Sequence, residues 1–121
     1  MEKLNIWIAE NDLKNACNLK KFLEEKEEIR QVRVFSKGNR VCQILKEEAP
    51  DMLVLDTELE DMTGMELLQY LQDQRGTIDF PFIVISSISH HSLIKQAVEY
   101  GASFYMLRPY YFERLYQRIL K

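Results

Sequence analysis

The sequence predicts an α/β domain built on a doubly wound, five-stranded parallel sheet with helices on both faces. Three observations carry that prediction. Short apolar runs alternate strictly with longer segments of helical period along all 121 residues. The runs MLVLD and FPFIVIS are almost continuously apolar, as strands covered on both faces are. Right-handed crossovers between such strands place helices on both sides of one sheet.

The elements follow in order. Leu4 to Ala9 (LNIWIA) is a strand. Asp12 to Lys26 is a helix, with Leu13, Ala16, Cys17, Leu19, Phe22 and Leu23 as its apolar stripe. Ile29 to Phe35 alternates Val32 and Val34 with Arg33 and Ser36, which suits an edge strand. Asn39 to Glu48 is a helix stopped by Pro50. Met52 to Asp56 is a buried strand that ends in a carboxylate, and Gly64 to Gln74 is the third helix. Phe80 to Ser86 is the fourth strand. Ser92 to Tyr100 is a helix closed by Gly101. Ser103 to Leu107 is the fifth strand and Tyr110 to Leu120 the last helix.

Bulk properties bound the function. With 46% hydrophobic and 29% charged residues, the chain can bury a core unaided as one domain, residues 1–121, and no output domain is expected within it. A net charge of -3 gives no basic footprint for direct nucleic-acid binding. No apolar run approaches the roughly 20 residues that span a bilayer. MEKLNIWIAEND lacks the pattern of a secretory signal, so a cytoplasmic location is the default. Cys17 and Cys42 have no CxxC spacing and read as reduced, core or semi-buried thiols.

In open α/β sheets the functional crevice lies beyond the carboxyl ends of the strands. Glu10, Asn11 and Asp12 follow the first strand; Asp56, Thr57 and Glu58 end the third; Ser86 and Ser87 end the fourth; Arg108 and Pro109 follow the fifth. A carboxylate can attack phosphorus to form an acyl phosphate. Glu10, Asp12, Asp56 and the backbone carbonyl of Glu58 are hard oxygen donors suited to Mg²⁺. A hydroxyl and a cation suit the remaining phosphoryl oxygens. The competing reading of the acidic residues is structural, with Asn11 or Asp12 capping the first helix.

PDMLVLDTELEDMTGMELL, FIVISS and AVEYGASFYMLRPYYFERL, in this order, resemble the receiver domains of bacterial response regulators across essentially the whole chain. The wording is closest to the sporulation master regulator type. The resemblance implies the (βα)5 flavodoxin-like receiver fold and a phosphorylatable switch of a two-component or phosphorelay system. It implies that Asp56 accepts phosphate from a histidine kinase or phosphotransfer protein with Mg²⁺ as cofactor. Ser86 matches the hydroxyl that turns toward the phosphoryl group, and Tyr105 matches the aromatic switch. The output surface would be the fourth helix, fifth strand and fifth helix, which is also a common homodimer face in the family. No enzymatic activity is implied beyond self-catalysed phosphoryl transfer and autodephosphorylation.

Three positions depart from the family pattern. The acidic pair after the first strand reads Glu10-Asn11, which offers a carbonyl oxygen and one charge fewer, with Asp12 as the residue expected to compensate. Arg108 stands where the family has Lys, and the two are not interchangeable at a phosphate-contacting site. Glu60 stands where Pro is usual, so Glu58, Glu60 and Asp61 are expected to repel an incoming phosphate. The alternative reading is therefore an atypical receiver that works without phosphorylation, as a dimerisation or docking module. A free-standing phosphatase of related topology would need a second acid two residues after the nucleophile, where Glu58 stands, and a cap domain, which is not expected in this sequence. A flavin-binding protein would need a Gly/Ser/Thr-rich loop where AENDLKN stands. His90 and His91 read as solvated loop residues, and EEKEE at 24–28 as a solvated helix end.

Overall fold

The structure is a computed structural model that describes residues 2–121. Its elements are β1 (Leu4–Ala9), α1 (Leu13–Glu24), β2 (Ile29–Phe35), α2 (Gly38–Leu45), β3 (Met52–Asp56), α3 (Gly64–Arg75), β4 (Phe82–Ser86), α4 (His91–Glu99), β5 (Phe104–Leu107) and α5 (Phe112–Leu120). The strands form one parallel sheet in the order β2-β1-β3-β4-β5, the doubly wound arrangement expected from the alternation. β2 is indeed an edge strand, and β5 is the other edge.

Two apolar layers flank the sheet. On one face Ile6, Ile8, Val54, Ile83 and Ile85 pack against Ala16, Leu19 and Leu23 of α1 and Leu115, Tyr116 and Ile119 of α5. On the other face Trp7, Leu53, Leu55, Phe82 and Val84 pack against residues of α2, α3 and α4, among them Val41, Leu67, Leu71 and Ala97. Trp7 and Phe35 meet in a tilted pair, their centroids 5.3 Å apart. β3 and β4 are buried at every residue, which is why each reads as an unbroken apolar run.

Four boundaries differ from the sequence expectation by two residues or more. α1 is capped by Asp12 and stops at Glu24, and its buried stripe narrows to Ala16, Leu19 and Leu23. Leu13 and Cys17 lie on the flank of that stripe and are exposed, so Cys17 is a surface thiol and only Cys42 is half-buried. α2 ends at Leu45 because the Lys46-Glu47-Glu48 segment has no apolar residue to bury. β4 starts after Pro81, which has no N–H to give the ladder. α5 starts at Phe112, since Tyr110 is packed against the Phe112 ring and Tyr111 is extended.

Candidate functional site

β3 delivers Asp56 to the carboxyl edge of the sheet, paired with Ile85 of β4, and Ser86 is one residue beyond that partner. The loop after Asp56 returns through a bridge between Glu58 and Thr63. Thr63 and Glu66 then form a capping box that starts α3. A Cβ at Gly64 would lie 2.3 Å from the Asp56 carbonyl oxygen, so only glycine lets α3 begin this close to the strand.

The carboxylate of Asp56 is 7% exposed and both of its oxygens are engaged. The Glu58 N–H donates to Oδ1 at 3.0 Å. The Arg108 guanidinium donates to Oδ2 at 2.8 Å. The same Arg108 nitrogen lies 3.5 Å from Oε1 of Glu10, while the Asn15 side-chain amide donates to Oε2 of Glu10 at 2.8 Å. One guanidinium thus serves two carboxylates from different strands. Burial works against the charge of Arg108, but the bond to Asp56 and the pull of both carboxylates hold its pKa above the ordinary value. Glu10 is 1% exposed; burial pushes its carboxyl up, against the Asn15 hydrogen bond and Arg108.

The mouth of the site is a recess of about 380 Å³ lined by Asn11, Asp12, Asp56, Thr57, Glu58, Ser87, Ile88 and Arg108. Asn11 is exposed at its rim. Asp12 does not serve as a third inward carboxylate: its Oδ1 accepts from the Asn15 N–H at 3.1 Å and caps α1. Among the described residues no group of three or more carboxylate, imidazole or thiol side chains converges as metal ligands, so the set Glu10, Asp12 and Asp56 is not assembled.

Two of the three acidic residues expected around the recess are engaged elsewhere. Asp61 turns away from the recess and accepts from the N–H groups of Gly38 at 2.7 Å and Asn39 at 3.0 Å, the unpaired donors at the start of α2. The Glu60 N–H donates to the Ser36 carbonyl at 2.8 Å, and its carboxylate accepts from the Ser36 hydroxyl. Of the three acidic residues in this loop, only Glu58 lines the recess.

Ser86 is fully buried and does not reach Asp56 in this state. Its Oγ accepts from Thr57 Oγ1 at 3.0 Å and from the Ile88 N–H at 2.9 Å. Tyr105, half-buried, donates its hydroxyl to the Ile88 carbonyl at 2.8 Å. His90 caps α4, its Nδ1 accepting from the Ser92 N–H, and His91 is exposed.

Asn15 and Tyr110 are site residues that the sequence reading passes over, and Thr57, placed by it at the strand end, is given no role there. Asn15 sits in the first turn of α1, five residues after Glu10, where a helix start folds back onto a strand end. The Tyr110 hydroxyl is buried beside Glu10, Asn15 and Arg108 without a hydrogen bond of good geometry. Burial and the Glu10 charge push it up to about 12. A larger recess of about 490 Å³ between α2 and α3 includes Cys42, but its carboxylates Asp61 and Glu66 are already committed to the starts of α2 and α3.

Residues 6–120 match the family model described as the response regulator receiver domain. The chain is 32% identical over 111 residues to the transcriptional regulatory protein MalR of Bacillus subtilis (strain 168), covering 92% of this chain and 46% of that protein. It is 28% identical over 110 residues to the DNA-binding transcriptional regulator NtrC of Proteus hauseri, covering 91% of this chain and 22% of that protein. The chain therefore spans less than half the length of these curated relatives. The receiver domain of the Francisella response regulator 1452 superposes with a TM-score of 0.86 at 23% identity, covering 98% of this chain and 94% of that one, which bears on the fold alone.

Proposed function

Since the chain belongs to the response regulator receiver family, we propose that it is a phosphorylatable switch with Asp56 as the phosphoacceptor. The observation that carries this reading is the Arg108 guanidinium held 2.8 Å from Asp56 Oδ2 at the floor of an open recess. A carboxylate nucleophile thus has an anion-binding cation beside it. Phosphoryl transfer from a phosphohistidine of a kinase or phosphotransfer protein forms the Asp56 O–P bond and breaks the N–P bond, and the released imidazole takes a proton. Receiver domains are regulatory modules, and this transfer with its hydrolytic reversal is the only chemistry assigned to the chain.

The donor set fits Mg²⁺. The ion ordinarily takes one or two carboxylates and keeps several waters. Here Glu10 and Asp56 would hold it, with the Asn11 side-chain carbonyl and the Glu58 backbone carbonyl as neutral donors. When bound, it supplies charge that offsets the transferring phosphoryl group. Ser86 and Tyr105 act as the switch pair, because both already grip Ile88. The output face is α4-β5-α5, where Val98, Leu107 and Tyr111 are exposed, the last at 83%. A second copy of the chain is its proposed occupant.

A second reading has its own observation. Arg108 already bridges Glu10 and Asp56 and offsets one of their two charges, where a bound divalent ion would offset both. A receiver locked this way would be a docking module that needs no phosphate. Incubation with acetyl phosphate and Mg²⁺, read by intact mass beside Asp56→Asn, separates the two. A magnesium-dependent adduct on the wild type alone supports the phosphoacceptor. No adduct on a folded sample supports the docking module.

A further inference from the structure

We propose that Thr57 is a positioning residue that latches Ser86 in the resting conformation, in competition with the phosphoryl group on Asp56. The inference rests on the reading of Asp56 as phosphoacceptor. Thr57 is 5% exposed and its backbone is fixed on both sides. Its N–H donates to the Ile85 carbonyl at 3.1 Å, and its carbonyl accepts from the Gly64 N–H at 2.8 Å. The hydroxyl is therefore carried on a rigid mount between β3 and α3. From there it donates to Ser86 Oγ at 3.0 Å, a buried bond between side chains 29 residues apart.

Ser86 Oγ also accepts from the Ile88 N–H, so in this state it receives two donors, both from residues that line the recess, and none from Asp56. For Ser86 to turn to a phosphoryl oxygen it must leave both. Leaving the Ile88 N–H frees one end of a residue whose carbonyl Tyr105 holds at 2.8 Å. The order of events is then fixed by geometry: the Thr57 bond breaks, Ile88 is released, and Tyr105 loses its anchor. Thr57 sets how much of the phosphoryl attraction is spent before the switch moves.

The test uses the 121-residue chain with Thr57→Val, which keeps the β-branch and removes the hydroxyl, and Thr57→Ser, which keeps the hydroxyl. Two signals are read: the Ile88 amide resonance without any phosphodonor, and the affinity for beryllofluoride with Mg²⁺. In Thr57→Val the Ile88 amide is expected to shift toward its beryllofluoride-bound position, with binding about fivefold tighter, the equivalent of one net buried hydrogen bond. Thr57→Ser should resemble the wild type. An unmoved Ile88 amide in Thr57→Val, or a Thr57→Ser that behaves like Thr57→Val, overturns the latch. If beryllofluoride binds neither protein, the phosphoacceptor reading fails, and the latch then stands on an Ile88 amide that leaves its wild-type position in Thr57→Val and keeps it in Thr57→Ser.

Discussion

Gly64 and Asp56 are in such close approach that a methyl on the glycine would sit 2.3 Å from the aspartate carbonyl oxygen. The obstacle is backbone, which cannot rotate aside as a side chain can. Gly64→Ala is therefore expected to destabilise the fold by about 1–3 kcal/mol, the usual cost of overpacking. Urea unfolding measures it. An unchanged midpoint would mean that α3 is free to shift on β3.

Arg108 contacts both Glu10 and Asp56, so a Mg²⁺ ion held by these two carboxylates, as proposed above, would have to compete with it. Lysine is a point charge on a flexible stem and does not offer the guanidinium's planar fork. Arg108→Lys should bind Mg²⁺ more tightly than wild type, and Arg108→Ala more tightly still. A neighbouring unit charge is worth about 1 kcal/mol or more even at high dielectric, so the alanine variant should gain on the order of tenfold. Titration of the Glu58 amide resonance with Mg²⁺ reads the affinity. Equal affinities across the three proteins would remove the competition.

Asp61 belongs to α2 rather than to the recess. Asp61→Ala should cost about 1 kcal/mol of stability, as the loss of a helix cap does. Phosphorylation by acetyl phosphate should proceed at the wild-type rate. Burial acts against the Asp61 charge, but the N–H groups of Asn39 and Gly38 hold its carboxyl below the usual carboxylate value. A depressed pKa in the folded state stabilises above the unfolded value of 3.8 and loses that contribution as pH falls through the folded value. The gap between wild type and Asp61→Ala should close in acid, which thermal melts across pH would show.

Tyr110 buries a hydroxyl that makes no good hydrogen bond. Tyr110→Phe should therefore be neutral or stabilising by about 1 kcal/mol, since an unsatisfied buried polar group is itself costly. The raised pKa of about 12 works in the same direction. A folded pKa above the unfolded value of 10 means that wild type loses stability as pH rises from 10 toward 12, and the phenylalanine variant loses less. Denaturant midpoints at neutral and alkaline pH check both parts. A clear loss of stability at neutral pH would show that the hydroxyl has a partner in solution.

The fold was legible because period is a local property. MLVLD and the α1 stripe reveal strand and helix within a few residues, whereas the close approach of Gly64 to Asp56 emerged with the structure. Asp56, Ser86 and Arg108 were legible too, because strand ends of a doubly wound sheet must share one edge. What stayed hidden depends on where short side chains turn. Asp12 is consumed by its own helix, three residues away. Asp61 reaches donors 22 and 23 residues earlier in the chain. The Thr57 hydroxyl meets Ser86 across two strands. In each case the residue type announces a hydrogen bond and leaves its direction to the tertiary fold.

The loops around Asp56 are unequally restrained, and that has a mechanical result. The segment from Glu58 to Thr63 is clamped by its own bridge, by the Glu60–Ser36 pair and by Asp61 on α2. Across the recess, among the described residues, the Ile88 backbone is held by the Ser86 and Tyr105 side chains. The site works as a vice with one fixed jaw and one hinged jaw. On the reading of Asp56 as phosphoacceptor, displacement there is expected to be taken up on the Ile88 side, toward α4 and β5.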